Sequence, residues 1–382
     1  MYHKMYNNFL VAAFVTTIAP MPQETAASKG ANAQEYLALC GAWRIAKQAA
    51  SMELPLPTTT DAYADILDFS MSVASDGWKA LIDGTPTKKG WEKHKQELQM
   101  AVPSLNLEAT WPMWETARVN TKDQKTIFNT EHKRGFTDAD ADLVREEINA
   151  TTTIATELHK RLAAQPEANG APIKHKIKTL AAEAKCGADG KFADTAGACK
   201  DTTNPDDTKA SNCGATRAGQ SIAIDIVCLC TAPSHDKCLS GASDYSTGVN
   251  DIQTSAIDAL TKACPNTSQK LELDTEIERA LTTVSEQIHN VAANGRVIGT
   301  AAGSSCTEHG DYCVDYSNYF SSTKDFHDIP WVTKLLEIAD LYCQYKKQIE
   351  IKETTKRQIE TLRDDVKRQY TIRPHRQPTA SA

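Results

Sequence analysis

The sequence predicts a mainly α protein: long amphipathic helices pair through coiled-coil seams and carry a disulfide-rich, loop-rich lobe with short β-strands. Three observations predict it. Apolar residues recur at helical spacing in several long runs, the last of which keeps a heptad register. Between residues 186 and 264 that periodicity gives way to Gly, Asp, Asn and Thr, and seven of the chain's 11 cysteines fall there. The chain also opens with an apolar leader, which places those cysteines in an oxidising route.

The leader has the anatomy of a secretory signal peptide over residues 1–30. His3 and Lys4 precede an apolar run from Phe9 to Ala19, and small and polar residues follow. The run is shorter than the roughly 20 residues a bilayer core requires. Cleavage is expected between Ala19 and Ala33, with Pro20 spoiling the nearest small-residue site.

Tyr36, Leu39, Cys40, Trp43, Ile45 and Ala46 then follow helical spacing, until Pro55 and Pro57 break the helix and Thr60 or Asp61 caps the next. That second run covers 61–82 and stops near Asp83-Gly84. The stretch 88–134, with Trp91, Trp111, Trp114 and turn signals at Pro103 and Pro112, reads as mixed helix and loop. From Thr137 to Gln165 a long helix has acidic residues in its first turn and basic ones in its last, complementing the helix dipole. Leu143, Ile148, Ala155, Leu158 and Leu162 are expected to share its seam, and Pro166 ends it.

The segment 186–264 contains one convincing strand, Ser221–Cys230. It buries too little apolar surface to hold itself, so cross-links are expected to order it. Helix returns at 271–293, and a loop with Cys306 and Cys313 follows. The last run, 329–370, places Leu335, Ile338, Tyr342, Tyr345 and Ile349 in alternating steps of three and four; Ile359, Leu362 and Val366 resume that phase after polar Lys352 and Lys356. About 40 helical residues span roughly 60 Å. A seam of that length needs long partners, and the helices of 33–81 and 137–164 are the candidates. Residues 371–382 read as a Pro-rich hinge or linker.

Composition excludes little else. For 382 residues, 41% hydrophobic and 24% charged content is that of an ordinary globular chain, and a net charge of -7 with no basic patch argues against nucleic acid.

The stretches "EYLALCGAWRIAK", "MSVASDGWKAL", the cysteine-dense middle, "SSCTEHGDYCVDYSNYF" and "IPWVTKLLEIADLY", in that order, resemble the amino-terminal domain of a trypanosome variant surface glycoprotein, most like the B-type class. The resemblance covers most of residues 31–370. It implies an elongated antiparallel coiled-coil hairpin with the loop-rich lobe at its membrane-distal end, and a homodimer, with a trimer as the alternative. It also implies a dense coat that packs against neighbouring coat molecules and faces host antibodies, with antigenic variation for immune evasion. Such a coat is held at the extracellular face of the plasma membrane by a glycosylphosphatidylinositol (GPI) anchor. The family's cysteine-rich carboxy-terminal domain and anchor signal are not found in these 382 residues. A receptor of the same fold, binding a host serum protein for uptake, is the alternative function.

Asn149 (Asn-Ala-Thr) and Asn266 (Asn-Thr-Ser) fit the N-glycosylation sequon. The oxidising route makes Cys40, Cys186, Cys199, Cys213, Cys228, Cys230, Cys238, Cys264, Cys306 and Cys313 disulfide candidates. Their connectivity is not readable. On the expected strand, Cys228 and Cys230 would share a face and reach separate partners; the rival use, with His235 and Cys238, is a zinc site. Cys343, away from the clusters, is the candidate for the leftover thiol, with Cys40 as its partner if their helices pack. No catalytic constellation is found. His309 with Cys313 reads as a stapled loop, and Asp138, Asp140 and Asp142 as helix-start charges rather than a cation site. Trp43, Trp78 and Trp331 are assigned to packing. No enzyme activity, metal or cofactor is expected.

Overall fold

The computed structural model describes residues 30–58, 61–82, 91–92, 94–95, 107–122, 126–188, 192–195, 198–201, 208–230, 237–239, 254–266, 272–291, 295–301, 306–307 and 311–372. The leader up to residue 29, Pro103, His235, the two residues completing the second sequon, His309 and the tail from 373 lie outside them. The α-helices are α1 (Ala33–Ser51), α2 (Asp61–Val73), α3 (Asp76–Leu81), α4 (Leu107–Thr121), α5 (Ile127–Glu131), α6 (Ala141–Ala163), α7 (Ile173–Cys186), α8 (Lys209–Cys213), α9 (Ile222–Cys230), α10 (Thr254–Lys262), α11 (Leu273–Gln287) and α12 (Pro330–Thr371). The strands are β1 (Glu167–Ala168), β2 (Ala171–Pro172), β3 (Phe192–Thr195), β4 (Ala198–Asp201), β5 (His289–Val291), β6 (Gly295–Thr300) and β7 (Tyr312–Asp315). All pair antiparallel, in the hairpins β1–β2 and β3–β4 and the sheet β5–β6–β7. The protein is thus mainly α.

The chain forms two compact units: Met1–Trp43, Ala188–Asn266 and Thr282–Ile329 make one, and Arg44–Gly187, Thr267–Leu281 and Pro330–Ala382 make the other. In the second, α12 packs on α6, α7 and α2. Trp331, Ile338, Tyr345, Lys352, Ile359 and Val366 follow one another at seven-residue intervals and are all buried, so one heptad position faces the core along the whole helix. A fully buried isoleucine in that row contributes about 1.5–3 kcal/mol. Lys352 does not interrupt the seam; it lies in it.

The helix α7 is a partner of α12 beyond those the sequence pattern offers. Its buried residues are Ile173, Ile177, Ala181, Ala184, Lys185 and Cys186, and two of the first four, which form the apolar stripe, are alanine. Alanine permits close approach yet carries a weak hydrophobic signal. On α6 the buried set is Val144, Ile148, Thr152, Ala155, Thr156 and Leu162, and Leu143 is 59% exposed. Val144, not Leu143, is in phase with Ile148 and Ala155, which corrects the expected seam. The run 61–82 is two helices: the chain breaks at Ala74, and Ser75 caps α3 by accepting a hydrogen bond from the Trp78 amide at 3.3 Å. Pro112 lies inside α4 rather than at a turn. Its missing N–H costs one helical hydrogen bond, while Trp111 and Trp114 on either side are buried.

In the first unit the expected strand Ser221–Cys230 is instead helix α9, and all nine of its residues are buried. Ile222, Ile224, Ile226 and Val227 favour a strand locally, but a continuous apolar run cannot tell a strand from a helix buried all round. Ser221 marks the start, its hydroxyl accepting from the Ile224 amide at 3.4 Å. The helix meets α8, α10, β6 and β7, so this unit has a hydrophobic centre of its own and does not depend on cross-links alone. Residues 271–293 are helical only to Gln287; His289–Val291 pair with β6. Cys313 lies in strand β7 rather than in a loop. Trp43 and Trp331 are buried and Trp78 is half-buried.

Candidate functional site

The cysteines gather around α9. Cys213 on α8 bonds Cys228, and Cys230 bonds Cys238. On a helix, residues two apart point to opposite sides, so these bridges leave α9 in different directions. Both cysteines do reach separate partners, but by helical and not strand geometry. Cys306 bonds Cys313, and Cys40 of α1 bonds Cys264 across 224 residues of sequence, the longest of these four closures. Cys186 and Cys199 are also disulfide-bonded, and Cys343 is free. With Cys228, Cys230 and Cys238 oxidised, the thiolates of the zinc alternative are consumed.

Polar pins complete this frame. Asn32, fully buried, donates through Nδ2 to the carbonyls of Leu229 (2.9 Å) and Tyr312 (2.6 Å) and accepts from the Thr300 hydroxyl at 2.7 Å. It therefore joins the segment before α1 to α9, β6 and β7. Asp225, also fully buried, accepts from the Tyr316 hydroxyl at 2.7 Å and the Gly219 amide at 3.1 Å. Lys209 donates to the Asp311 carbonyl, and its ammonium and that of Lys237 lie 5.0 and 4.9 Å from the Tyr312 ring centroid. Burial pulls the Lys209 pKa down to about 8, Asp311 opposing the shift. Gly299 has φ +94°, and a Cβ there would overlap Tyr312 O and the Leu229 side chain. The sequence pattern singles out none of these pins, because apart from Gly219 and Asp225 the partners lie far apart in the chain.

Both sequon asparagines are exposed. Asn266 follows Pro265 after α10, outside regular structure. Asn149 sits on α6, where its Oδ1 accepts a hydrogen bond from the Ser70 hydroxyl at 3.2 Å. The Cys343 thiol donates to Asp274 Oδ2 at 3.3 Å; burial and that carboxylate raise its pKa. Asp138 pairs with Arg134 (2.9 Å) and Asp142 with Arg145 (2.5 Å), and Asp140 accepts from the Thr137 hydroxyl at 2.7 Å. Local partners occupy all three carboxylates. Among the described residues no group of three or more His, Cys, Asp or Glu is placed to hold a metal, and no helix is long and apolar enough to cross a membrane.

What this arrangement offers is mechanical: a buried helix fixed by disulfides and by long-range hydrogen bonds. Comparison with known proteins gives that frame a context. The family model described as "Trypanosomal VSG domain" matches residues 14–361. Variant surface glycoprotein ILTAT 1.21 of Trypanosoma brucei brucei is 29% identical over 353 residues, covering 88% of this chain and 72% of the relative. Variant surface glycoprotein WRATAT A of Trypanosoma brucei rhodesiense is 26% identical over 363 residues, covering 92% and 76%.

Proposed function

The chain belongs to the trypanosomal VSG-domain family, and from that membership we propose that it is a surface coat glycoprotein of antigenic variation that shields the parasite from host antibody. Its role is structural rather than catalytic. The single observation that carries the reading is the family match across residues 14–361.

Physics supports a division of labour. Antigenic change requires surface residues to vary while the fold persists. Segments between disulfide-fixed points vary at low cost, because the buried set of α9 and the Asn32 and Asp225 hydrogen bonds do not depend on them. The working assembly is a homodimer, or a trimer, packed against neighbouring coat molecules. Residues 1–30 act as the secretory leader, residues 31–370 form the coat domain with 186–264 as its disulfide-rich lobe, and 371–382 act as a hinge. Asn266 and Asn149 carry N-glycans. A GPI anchor is the attachment to the outer face of the plasma membrane.

Expression of the full-length gene product, anchor signal included, in bloodstream-form trypanosomes tests this. Labelling by a membrane-impermeant reagent and antibody staining of intact cells are expected; retention inside the cell would refute the reading. A serum protein recovered in stoichiometric amount would replace the coat role by that of a receptor.

A further inference from the structure

We propose that the cleft beside Asn149 is a carbohydrate-docking site that seats the first N-acetylhexosamine of a glycan carried on that asparagine; this rests on the N-glycosylation of Asn149 proposed above. The cleft has a volume of about 280 Å³ and is lined by Ser70, Ser75, Trp78, Trp114, Arg145 and Asn149 among others. Trp78 and Trp114 meet edge to face, with centroids 5.8 Å apart and planes at 85°, and form an aromatic corner.

Aromatic faces with a polar rim match a pyranose ring, whose C–H face packs on an indole while its hydroxyls seek hydrogen bonds. Trp114 is only 2% exposed, its indole N–H included, so it backs the wall of the cleft, and half-buried Trp78 offers the ring edge and face that remain open. Arg145 does not call for an anion. Its guanidinium is already engaged by the Val73 carbonyl at 2.6 Å and Asp142 at 2.5 Å, so a neutral ligand suits the rim.

Ser70 supplies the link to the covalent site. Its hydroxyl holds Oδ1 of Asn149, which leaves Nδ2, the atom that is glycosylated, to carry the sugar. The N-glycosidic bond forms from that nitrogen to the anomeric carbon of a lipid-linked oligosaccharide, the lipid diphosphate leaving as the amide loses a proton. The seated sugar then covers the junction of α3, α4 and α6 with its own polar surface.

The test uses the full chain secreted from eukaryotic cells, with peptide mass mapping at Asn149 and timed endoglycosidase release from native and denatured protein. Native release at Asn149 is expected to be about tenfold slower in the parent than in Trp78→Ala, the order that loss of a ring stack supplies. All rates should become equal once the protein is denatured. Ser70→Ala, a milder change, should accelerate native release in the same direction and serves if Trp78→Ala fails to fold. An occupied Asn149 released equally fast in native parent and variants would overturn the docking site and leave the glycosylation reading intact. An unoccupied Asn149 would overturn both.

Discussion

Replacing Lys352 by methionine distinguishes this structure from a generic coiled coil. A lysine at a core heptad position ordinarily weakens a seam, so methionine should stabilise it. Here Lys352 is 7% exposed, and its ammonium donates to the carbonyls of Arg161 (2.7 Å) and Leu162 (2.8 Å) in the last turn of α6. Those carbonyls have no partner within the helix, and the charge also opposes the negative end of its dipole. Burial lowers the ammonium's pKa, which offsets part of the gain. Methionine keeps the packing of the stem but leaves two carbonyls without donors, at about 1–3 kcal/mol each. With the recovered desolvation subtracted, the expected net loss is about 2–4 kcal/mol, or a fall in Tm of roughly 5 °C. The assay is thermal and urea unfolding followed by tryptophan emission. Five of the six tryptophans, all but Trp43, belong to the unit that contains α12, so emission reports on that unit. Unchanged or increased stability in Lys352→Met would refute the capping role.

Three further outcomes are expected. Gly299→Ala should lower the secreted yield and the unfolding midpoint sharply, by upwards of about 2 kcal/mol, because it combines a left-handed backbone with a Cβ that overlaps Tyr312 O; normal secretion with an unchanged melt would contradict the geometry. Asp68 is pushed up to about 7 by burial, against the pull of its hydrogen bonds from Asn120. The folded state therefore holds a proton that the unfolded state releases near pH 4, and this stabilisation, full below about pH 4, falls away as pH rises and is gone above about 7. Asp68→Asn should flatten the fall in urea midpoint between about pH 4 and pH 7; an unaltered slope would assign the effect elsewhere. In denaturant without reductant, alkylation should modify one thiol per chain, at Cys343, and in the native protein that reaction should be slowed by the raised pKa. Modification at any other cysteine would break the assignment of bridges.

The legibility of the helices varied with how local their cause is. The long run that became α12 was readable because its heptad spacing is written in consecutive residues, and the α2 and α6 runs were readable for the same reason. Cys343 lies in α12 away from the cysteine clusters, and it is the free thiol. The α7 face was written in the sequence too, but in alanines whose small volume gives a faint pattern. Ser221 carried the one local sign that α9 is a helix, and four β-branched residues outweighed it.

By itself the sequence determined that amphipathic helices would dominate, where the longest would run, and that a cysteine-rich segment would interrupt them. These follow from periodicity and composition, which act over a turn or two of chain. Tertiary structure alone decided that Ile222–Cys230 is helical, that Cys40 bonds Cys264, that Asn32 ties α9, β6 and β7 together, and that Lys352 belongs in the core. Each depends on a partner brought close only by folding, since an apolar run takes its conformation from what surrounds it and a buried amide or ammonium is tolerated only where distant acceptors meet it.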